Sequence, residues 1–340
     1  MQIRSLSQEA YERWEKFVAT HPEATFFHTV GWKRVLEEVF GHPTYYLYAA
    51  QGEEVVGVLP LGHISSRLFG NALISIPFCV YGGALAINLE VRSGLERAAI
   101  DLARRLQVEW LELRHLKPSG SGRPTKDLYV TFRKALASDV EANFKAIPRK
   151  QRAMVRKGME AGLVSVIDTA VDRFYEVYAE SVRNLGTPVF PKKYFKVLKD
   201  VFGEQCEILV VEHRGRPVAA CMSFYFRDQV LPYYGGGTRM ARELHANDFL
   251  YWEIMRRATI KGVKVFDYGR SKRGTGSFRF KTHWGFTPEP LYYEYELIQA
   301  NKIPEVNPLN PKYRLFIEIW RHLPLPVSKL IGPWLARSLG

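Results

Sequence analysis

The chain has 340 residues and a mass of 39.1 kDa, a length for which two domains of roughly 150 residues each are expected. Apolar residues make up 46% and charged residues 24%, which excludes a disordered, collagen-like or low-complexity chain. The mean hydropathy is −0.19 and no apolar run reaches about 18 residues, so no membrane-spanning helix is predicted. Because the first residues lack the apolar core and cleavage site of a secretory signal, we expect a cytoplasmic protein.

The net charge is strongly positive, since 48 Lys and Arg residues against 35 Asp and Glu residues give +13. Such a balance favours anionic partners, and nucleic acid, a phosphorylated small molecule and an anionic membrane surface all satisfy it. Cys79, Cys206 and Cys221 lie in apolar stretches without metal-binding or redox spacing. We therefore expect three buried, reduced thiols and no metal site.

The hydrophobic periodicity of the first half predicts helix, helix, hairpin, strand, helix and strand in that order. The predicted helices lie at residues 8–19, 31–39 and 89–106, and the predicted strands at 45–50, 54–61, 72–76, 80–86, 110–114 and 129–132. Residues 117–124 are predicted to form a loop because they are rich in Gly, Ser and Pro.

The second half repeats this order. Helices are predicted at residues 148–161, 171–185, 192–202 and 247–261, the last capped by Asn247, and strands at 163–167, 206–212, 217–226, 229–234 and 263–268. A duplicated α/β unit with mixed, largely antiparallel sheets flanked by helices is the simplest architecture. The predicted domains are residues 1–140 and 141–300, followed by a tail at 301–340.

The first basic cluster falls on the predicted helix that follows Pro148. Arg149, Arg152 and Arg156 are spaced i, i+3 and i+7, so they share one helix face. This face is either a solvated surface, a phosphate-binding surface or a short basic targeting address.

The second basic cluster surrounds three glycines directly after the predicted strand that ends near Asp267. Its members are Arg270, Lys272, Arg273, Arg279 and Lys281. A glycine-rich loop lets backbone N–H groups approach a phosphate, and the cluster is either a substrate or donor site or a structural loop. The Lys-Ser/Thr pair of a P-loop is missing after Gly274, so an ATPase is rejected.

Lys281 is the strongest candidate for catalysis in this cluster. We expect it either to stabilise the oxyanion formed when an amine attacks a donor carbonyl, or to bind an acceptor phosphate. Asp267 is a candidate to orient a basic partner or accept the proton of the attacking amine, with a structural hydrogen-bond acceptor as the alternative. Tyr234 either lines a cleft or packs the sheet. Asp248, near the start of the following predicted helix, disfavours a coenzyme A pyrophosphate there.

Three motifs in this order resemble the FemAB-type transferases. They are FFHTVGW at residues 26–32, IPRKQRAMVRKG at 147–158, and the closing series FDYGRS at 266–271, GTGSFRFK at 274–281 and WGF at 284–286. The resemblance spans about residues 5–298 and implies two tandem domains of the GNAT acyltransferase fold. It also implies transfer of an acyl or aminoacyl group to an amine, with charged tRNA as donor in the peptidoglycan-bridge members.

The sequences of these motifs are most similar to those of the Fem-like proteins of bacterial exopolysaccharide and exosortase (PEP-CTERM) systems. For Trp32, which otherwise fits a core position beside Phe26 and Phe27, the resemblance implies a cleft-lining, substrate-binding role. The predicted helices between residues 171 and 202 leave no room for the long inserted coiled coil that several family members carry.

Residues 313–340 form a basic amphipathic segment. Apolar residues dominate it, and Lys312, Arg314, Arg321, Lys329 and Arg337 outnumber the single acid, Glu318. Such a segment either lies on an anionic membrane surface on the inner face of the cytoplasmic membrane or packs back onto the body of the protein.

The leading hypothesis is a FemAB-type transferase that forms an amide on an amine of a cell-envelope saccharide or a lipid-linked precursor. No tightly bound cofactor is expected, and the donor is either aminoacyl-tRNA or acyl-CoA. An acyl-CoA-dependent N-acyltransferase on the same fold is the first alternative. A non-enzymatic RNA-binding or membrane-binding protein is the second, and it predicts affinity that collapses with salt.

Overall fold

A computed structural model describes residues 1–66, 69–304 and 311–338. The chain divides into two compact units. The first unit comprises Met1–Tyr129, Pro290–Glu305 and Arg337–Gly340, and the second comprises Val130–Glu289 and Val306–Ala336.

The elements of the first 129 residues follow the predicted order closely. The strands are β1 (Gln2–Ser5), β2 (Leu47–Gln51), β3 (Glu54–Leu59), β4 (Gly62–Ser66), β5 (Gly70–Ser75), β6 (Leu85–Ala86) and β7 (Trp110–His115), and the helices are α1 (Tyr11–Thr20), α2 (Gly31–Val35) and α3 (Leu89–Arg105). Helix α2 continues as a π-helical turn through Leu36–Phe40. Strands β1 and β4 were not predicted, β4 because Ile64 is the one apolar residue in Gly62–Ser66. Of the strand predicted at residues 80–86, the structure forms only Leu85–Ala86.

The next part of the chain forms the second unit. Its strands are β8 (Tyr129–Ala135), β9 (Val164–Asp168), β10 (Cys206–His213), β11 (Arg216–Phe226), β12 (Gln229–Gly237), β13 (Val265–Asp267), β14 (Ser271–Lys272) and β15 (Pro288–Pro290). Its helices are α4 (Val140–Ala146), α5 (Arg149–Glu160), α6 (Asp172–Asn184), α7 (Lys192–Phe202), α8 (Arg239–Glu243), α9 (Ala246–Ile260) and α10 (Gly276–His283).

Strand β16 (Tyr292–Leu297) then returns to the first unit, where it pairs with β7. The last two helices are α11 (Pro311–His322) and α12 (Leu325–Ala336). Of the predicted tail, residues 305–310 and 339–340 and the side chains of Lys312 and Arg314 lie outside the described part of the chain. No helix among the described residues is both long and apolar enough to cross a bilayer.

The sheets are mixed and largely antiparallel, as predicted. The first unit contains the strand orders β1-β2-β3-β6 and β16-β7-β5-β4, with β5 and β7 parallel. The main sheet of the second unit has the order β14-β8-β13-β12-β11-β10-β9, with β12 and β13 parallel. Helices α5 and α9 pack with this sheet around a core that includes Val155, Leu250 and Phe266.

Two predictions for the second unit are wrong. Helix α9 begins at Ala246 and not after an Asn247 cap, because His245, with φ +53°, turns the chain directly after α8. The glycine-rich basic segment is only partly a loop, since Gly276–His283 is helical. The Thr275 hydroxyl caps this helix by accepting a hydrogen bond from the Phe278 N–H at 3.4 Å.

Candidate active site

Lys281 lies on α10 with its side chain turned into the second unit, and the residue is only 9% exposed. Its Nζ donates hydrogen bonds to the carbonyl oxygens of Gly269 at 2.9 Å and Arg270 at 3.0 Å. The rings of Phe132 and Tyr268 flank the Nζ atom, with their centroids 5.5 and 5.4 Å away. The amine is therefore held by backbone carbonyls inside an aromatic enclosure.

This enclosure changes the acidity of the amine. Removal from water lowers the pKa of Lys281 from its usual value to about 7, the neighbouring Arg270 charge acts in the same direction, and Asp267 opposes both. Near neutral pH the side chain therefore exists both as a charged donor and as a neutral amine. An ammonium group has three N–H donors, and the described residues accept two of them as hydrogen bonds.

Asp267 ends β13 and is 1% exposed. Its Oδ1 accepts a hydrogen bond from the Gly269 N–H at 2.9 Å, and the Nε of Arg133 lies 3.5 Å from its Oδ2. Gly269 adopts φ +69°, a left-handed conformation that glycine accommodates without strain. The carboxylate therefore fixes the turn whose carbonyl binds Lys281, which makes Asp267 a positioning residue for that amine.

The other basic residues of this cluster lie around the turn and the start of α10. Lys272 belongs to β14, Arg270 and Lys272 are half-buried, and Arg273 and Arg279 are exposed. The Nη1 of Arg279 donates to the Gly274 carbonyl at 3.0 Å, which holds this exposed guanidinium beside the glycine turn.

A polar network joins α5, α9 and the residue that directly follows α10. The indole Nε1 of Trp284, just after α10, donates to Asp248 Oδ1 at 3.0 Å, and the Gln151 side chain of α5 also hydrogen-bonds to Asp248. Burial raises the pKa of the Asp248 carboxyl. A Cβ added to Gly285 would lie 3.1 Å from Pro148 Cγ, so the beginning of α5 packs against the end of α10.

Aromatic side chains occupy the region where β12 and β13 separate. These two parallel strands pair through Gln229 with Val265 and through Val230 with Phe266. Beyond that point the Tyr251 hydroxyl lies 3.3 Å from where a Cβ of Gly235 in β12 would stand. The Tyr251 ring lies 4.6 Å from the ring of Tyr268, which follows β13. Burial raises the pKa of both tyrosines, so their hydroxyls stay protonated.

The arginines of the predicted basic helix have different surroundings. Arg149 and Arg156 are exposed, and the guanidinium of Arg156 lies 5.4 Å from the Phe144 ring centroid. Arg152 is half-buried and its Nη1 donates to the Lys145 carbonyl at 3.2 Å. Arg152 and Arg156 therefore both help to hold α4, which leaves Arg149 as the member best placed to meet a ligand.

Two other predicted binding residues, Tyr234 and Trp32, contact aromatic side chains of their own units. The Tyr234 hydroxyl is 2.6 Å from that of Tyr194, within an aromatic cluster that includes Tyr178 and Phe195. Trp32 belongs to the first unit, where its ring is fully buried 5.6 Å from that of Phe26. Both side chains are therefore packed in the protein interior.

The site also contains residues that the sequence analysis did not single out for it, namely Arg133, Gln151, Tyr251 and Trp284. Trp284 and Gln151 were visible as parts of motifs, but no local pattern marks Arg133 or Tyr251. The predicted burial of the cysteines is confirmed, because Cys79, Cys206 and Cys221 are buried free thiols. Burial raises the pKa of Cys206 and Cys221 to about 12, which makes them poor nucleophiles. Within the described ranges, no group of three or more His, Cys, Asp or Glu side chains is placed to hold a metal ion.

Residues 144–282 match the family model described as an acetyltransferase (GNAT) domain. This segment includes both Asp267 and Lys281. A comparison with curated proteins found no match.

Several solved structures are similar to the chain over most of its length. A crystal structure of FemX has a TM-score of 0.68 and 12% identity, covering 93% of this chain and 100% of FemX. The C-terminal domain of a putative lysylphosphatidylglycerol synthetase from Agrobacterium fabrum has a TM-score of 0.59 and 14% identity, with coverages of 86% and 92%. A tandem GNAT protein from the clavulanic acid biosynthesis pathway has a TM-score of 0.57 and 15% identity, with coverages of 88% and 99%.

These similarities define the class of fold. The chain has a tandem GNAT-like fold, and the match to the GNAT acetyltransferase model lies in its second unit.

Proposed function

We propose that the protein is an N-acyltransferase of the FemAB type, which transfers an acyl or aminoacyl group to an amine of a cell-envelope precursor. The observation that carries the proposal is Lys281, a nearly buried amine with a pKa near 7 held by two backbone carbonyls. It lies within the segment that matches the GNAT acetyltransferase domain.

The reaction needs charge stabilisation at one oxygen atom. The acceptor amine attacks the donor carbonyl carbon, a C–N bond forms, and the carbonyl oxygen gains negative charge. The third N–H of protonated Lys281 stabilises this oxyanion, while the hydrogen bonds to Gly269 and Arg270 fix its position. The intermediate then collapses as the bond between the carbonyl carbon and the donor oxygen or sulfur breaks. The proton lost by the amine nitrogen passes to this leaving group, which departs as an alcohol or thiol.

We propose that the acceptor amine attacks the donor directly, without a covalent enzyme intermediate. Cys206 and Cys221 are protonated and buried, so neither supplies a thiolate for a covalent intermediate. The buried carboxylate of Asp267 is engaged by Gly269 and Arg133, and we assign it to positioning Lys281.

The donor is proposed to be an aminoacyl-tRNA. Exposed Arg149, Arg273 and Arg279 suit a polyanion. Asp248 places a carboxyl in the first turn of α9, where its ionised form would repel an approaching pyrophosphate.

An acyl-CoA donor is the second candidate, and the match of residues 144–282 to an acetyltransferase domain favours it. For the acceptor, we propose an amine on a saccharide or lipid-linked precursor, as in exopolysaccharide or PEP-CTERM systems. The motif resemblance and the fold shared with FemX and the lysylphosphatidylglycerol synthetase domain support an envelope acceptor of this kind.

The test is transfer of label from two donor pools at physiological salt. The purified protein is incubated with tRNA charged with labelled amino acids, or with labelled acyl-CoAs, and with a panel of amine-bearing envelope precursors. Label transferred from charged tRNA, and competed by excess charged tRNA but not by excess deacylated tRNA, supports the main proposal. Transfer from acyl-CoA alone replaces it with the second candidate. Salt-sensitive binding without transfer from either donor overturns the enzymatic proposal.

A further inference from the structure

Helix α12 has its large apolar side chains on the outside. Its buried residues are Ser328, Gly332 and Ala336, spaced four residues apart on one face. The opposite face exposes Val327, Leu330, Ile331 and Trp334, with Leu330 79% and Trp334 65% exposed. A helix that packs on a water-soluble body normally has the reverse arrangement, with large apolar residues inside and polar residues outside.

Close packing explains why the inner face of α12 is built from small residues. A Cβ added to Gly332 would lie 3.0 Å from the backbone nitrogen of Val189, so α12 lies directly on the segment that follows α6. Lys329 also forms an ion pair with Glu176 of α6. These two contacts fix the orientation of α12. Its exposed apolar face therefore does not result from a loosely attached helix.

Helix α11 also exposes large apolar side chains on its outer face. Its inner face buries Trp320 and places Ile317 against Gly186, while Leu315, Phe316 and Ile319 are exposed. Because both helices pack on α6 and the segment after it, their outer faces point away from the same part of the second unit. We call the exposed residues Leu315, Phe316, Ile319, Val327, Leu330, Ile331 and Trp334 the C-terminal apolar face. Scattered exposed apolar residues are common, but a cluster of this density marks an interaction surface.

We propose that the C-terminal apolar face docks the protein on an anionic lipid bilayer. Each helix has 12 residues, too few to cross a hydrocarbon core that needs about 20, so the helices lie along the surface. The segment from 311 to 338 contains five Lys or Arg residues and one acid, Glu318. Lys329 is paired with Glu176, and the remaining four basic residues still outnumber the acid, so the segment has the charge opposite to that of anionic headgroups. Trp334 belongs to the residue type that prefers the boundary between headgroups and acyl chains.

Charge argues for lipid over a second copy of this chain. A dimer formed through two C-terminal apolar faces would bring two basic segments together, and like charges at an interface oppose association. An anionic bilayer offers opposite charge at its surface and an apolar layer beneath. The proposal does not depend on the donor or on the reaction, because it concerns a surface distinct from the Lys281 enclosure.

Vesicle flotation of the full chain tests this proposal. We expect the protein to float with vesicles of phosphatidylcholine and phosphatidylglycerol, and to float less with phosphatidylcholine alone or at high salt. A Leu330→Glu, Trp334→Glu double variant is expected to bind at least about tenfold less, because it loses the burial of two large apolar side chains. Leu89→Glu is the matched control, since Leu89 is 72% exposed in the first unit, and it is expected to float like the unmodified protein.

Circular dichroism and light scattering complete the experiment. The replaced side chains are exposed, so both variants are expected to keep the unmodified spectrum and melting temperature. Equal flotation of the double variant and the unmodified protein would overturn the proposal. So would absence of flotation together with a concentration-dependent dimer that the double variant loses, because the face would then be an interface between copies of the chain.

Discussion

The carboxylate of Asp267 holds the backbone amide of Gly269 at 2.9 Å, and the carbonyl of the same glycine accepts a hydrogen bond from Lys281. Gly269 therefore connects Asp267, at the end of β13, to the amine of Lys281 on α10. The turn at Gly269 therefore links the buried carboxylate to the position of the buried ammonium group.

Replacing Asp267 should change both the position and the acidity of Lys281. In Asp267→Asn the amide oxygen can still accept from Gly269, but the negative charge that supports protonation of Lys281 is lost. We expect the pKa of Lys281 to fall further, so the alkaline limb of the pH–rate profile should move to lower pH. Asp267→Ala should in addition lower kcat, because the turn loses its acceptor. An unchanged limb in Asp267→Asn would show that the two residues are not coupled in this way.

Lys281 should also influence the pH dependence of stability. The unfolded chain keeps this proton up to about pH 10.4, whereas the folded chain releases it near pH 7. Between these values the unfolded state binds more protons, so the free energy of unfolding rises with pH by at most about 1.4 kcal/mol per unit from this group. Urea unfolding at pH 6 to 9 should therefore show a smaller rise for Lys281→Met than for the unmodified protein. Identical slopes would mean that the folded amine keeps its ordinary pKa.

The indole of Trp284 should be important for stability. Trp284→Phe removes the donor to Asp248 and leaves a buried carboxyl with one hydrogen bond fewer, a loss of about 1–3 kcal/mol. Asp248→Asn should cost less, because its amide oxygen still accepts from the indole. If the two groups act through this bond, the double variant should be destabilised by less than the sum of the single variants. Denaturant titrations of all three variants measure this difference, and strict additivity would argue against the bond.

The arginines of α5 should separate into binding and structural roles. Arg149→Ala should weaken binding of an anionic donor and reduce the dependence of log K on log salt by about one unit per lost phosphate contact. Arg156→Ala, whose guanidinium lies on Phe144, should mainly lower thermal stability. Fluorescence titrations at several salt concentrations distinguish these results. Equal binding losses in both variants would assign the whole face to the ligand.

Local patterns predicted many of the regular elements of this fold, but not β1, β4, β16, α4 or α8. Helix α7 has the predicted bounds, Lys192 to Phe202, because an amphipathic run there lies between Pro191 and Gly203. Helix α10 escaped prediction because its basic residues and nearby glycines hide the helical pattern, although Thr275 provides a cap.

The site was predictable only in part, because local patterns identify its residues but not their contacts. Asp267 and Lys281 were both candidates from their motif, but their connection through the Gly269 turn depends on tertiary structure. The contact between Trp284 and Asp248 joins residues 36 positions apart, and no sequence spacing encodes it. Burial likewise decides the pKa of Lys281, and a sequence alone does not show how completely a lysine is enclosed.

The rate of amide formation in Lys281→Met tests the central claim most directly. Lys199→Met is a matched control, because the Lys199 Nζ also donates to two backbone carbonyls, those of Gly203 at 3.3 Å and Cys206 at 2.5 Å, but at the end of α7. With a donor and acceptor that the unmodified protein uses, Lys281→Met should lose about 100-fold or more in kcat, the usual cost of removing an oxyanion donor. Lys199→Met should keep the kcat of the unmodified protein. Turnover by a folded Lys281→Met variant at the rate of the unmodified protein would contradict the account.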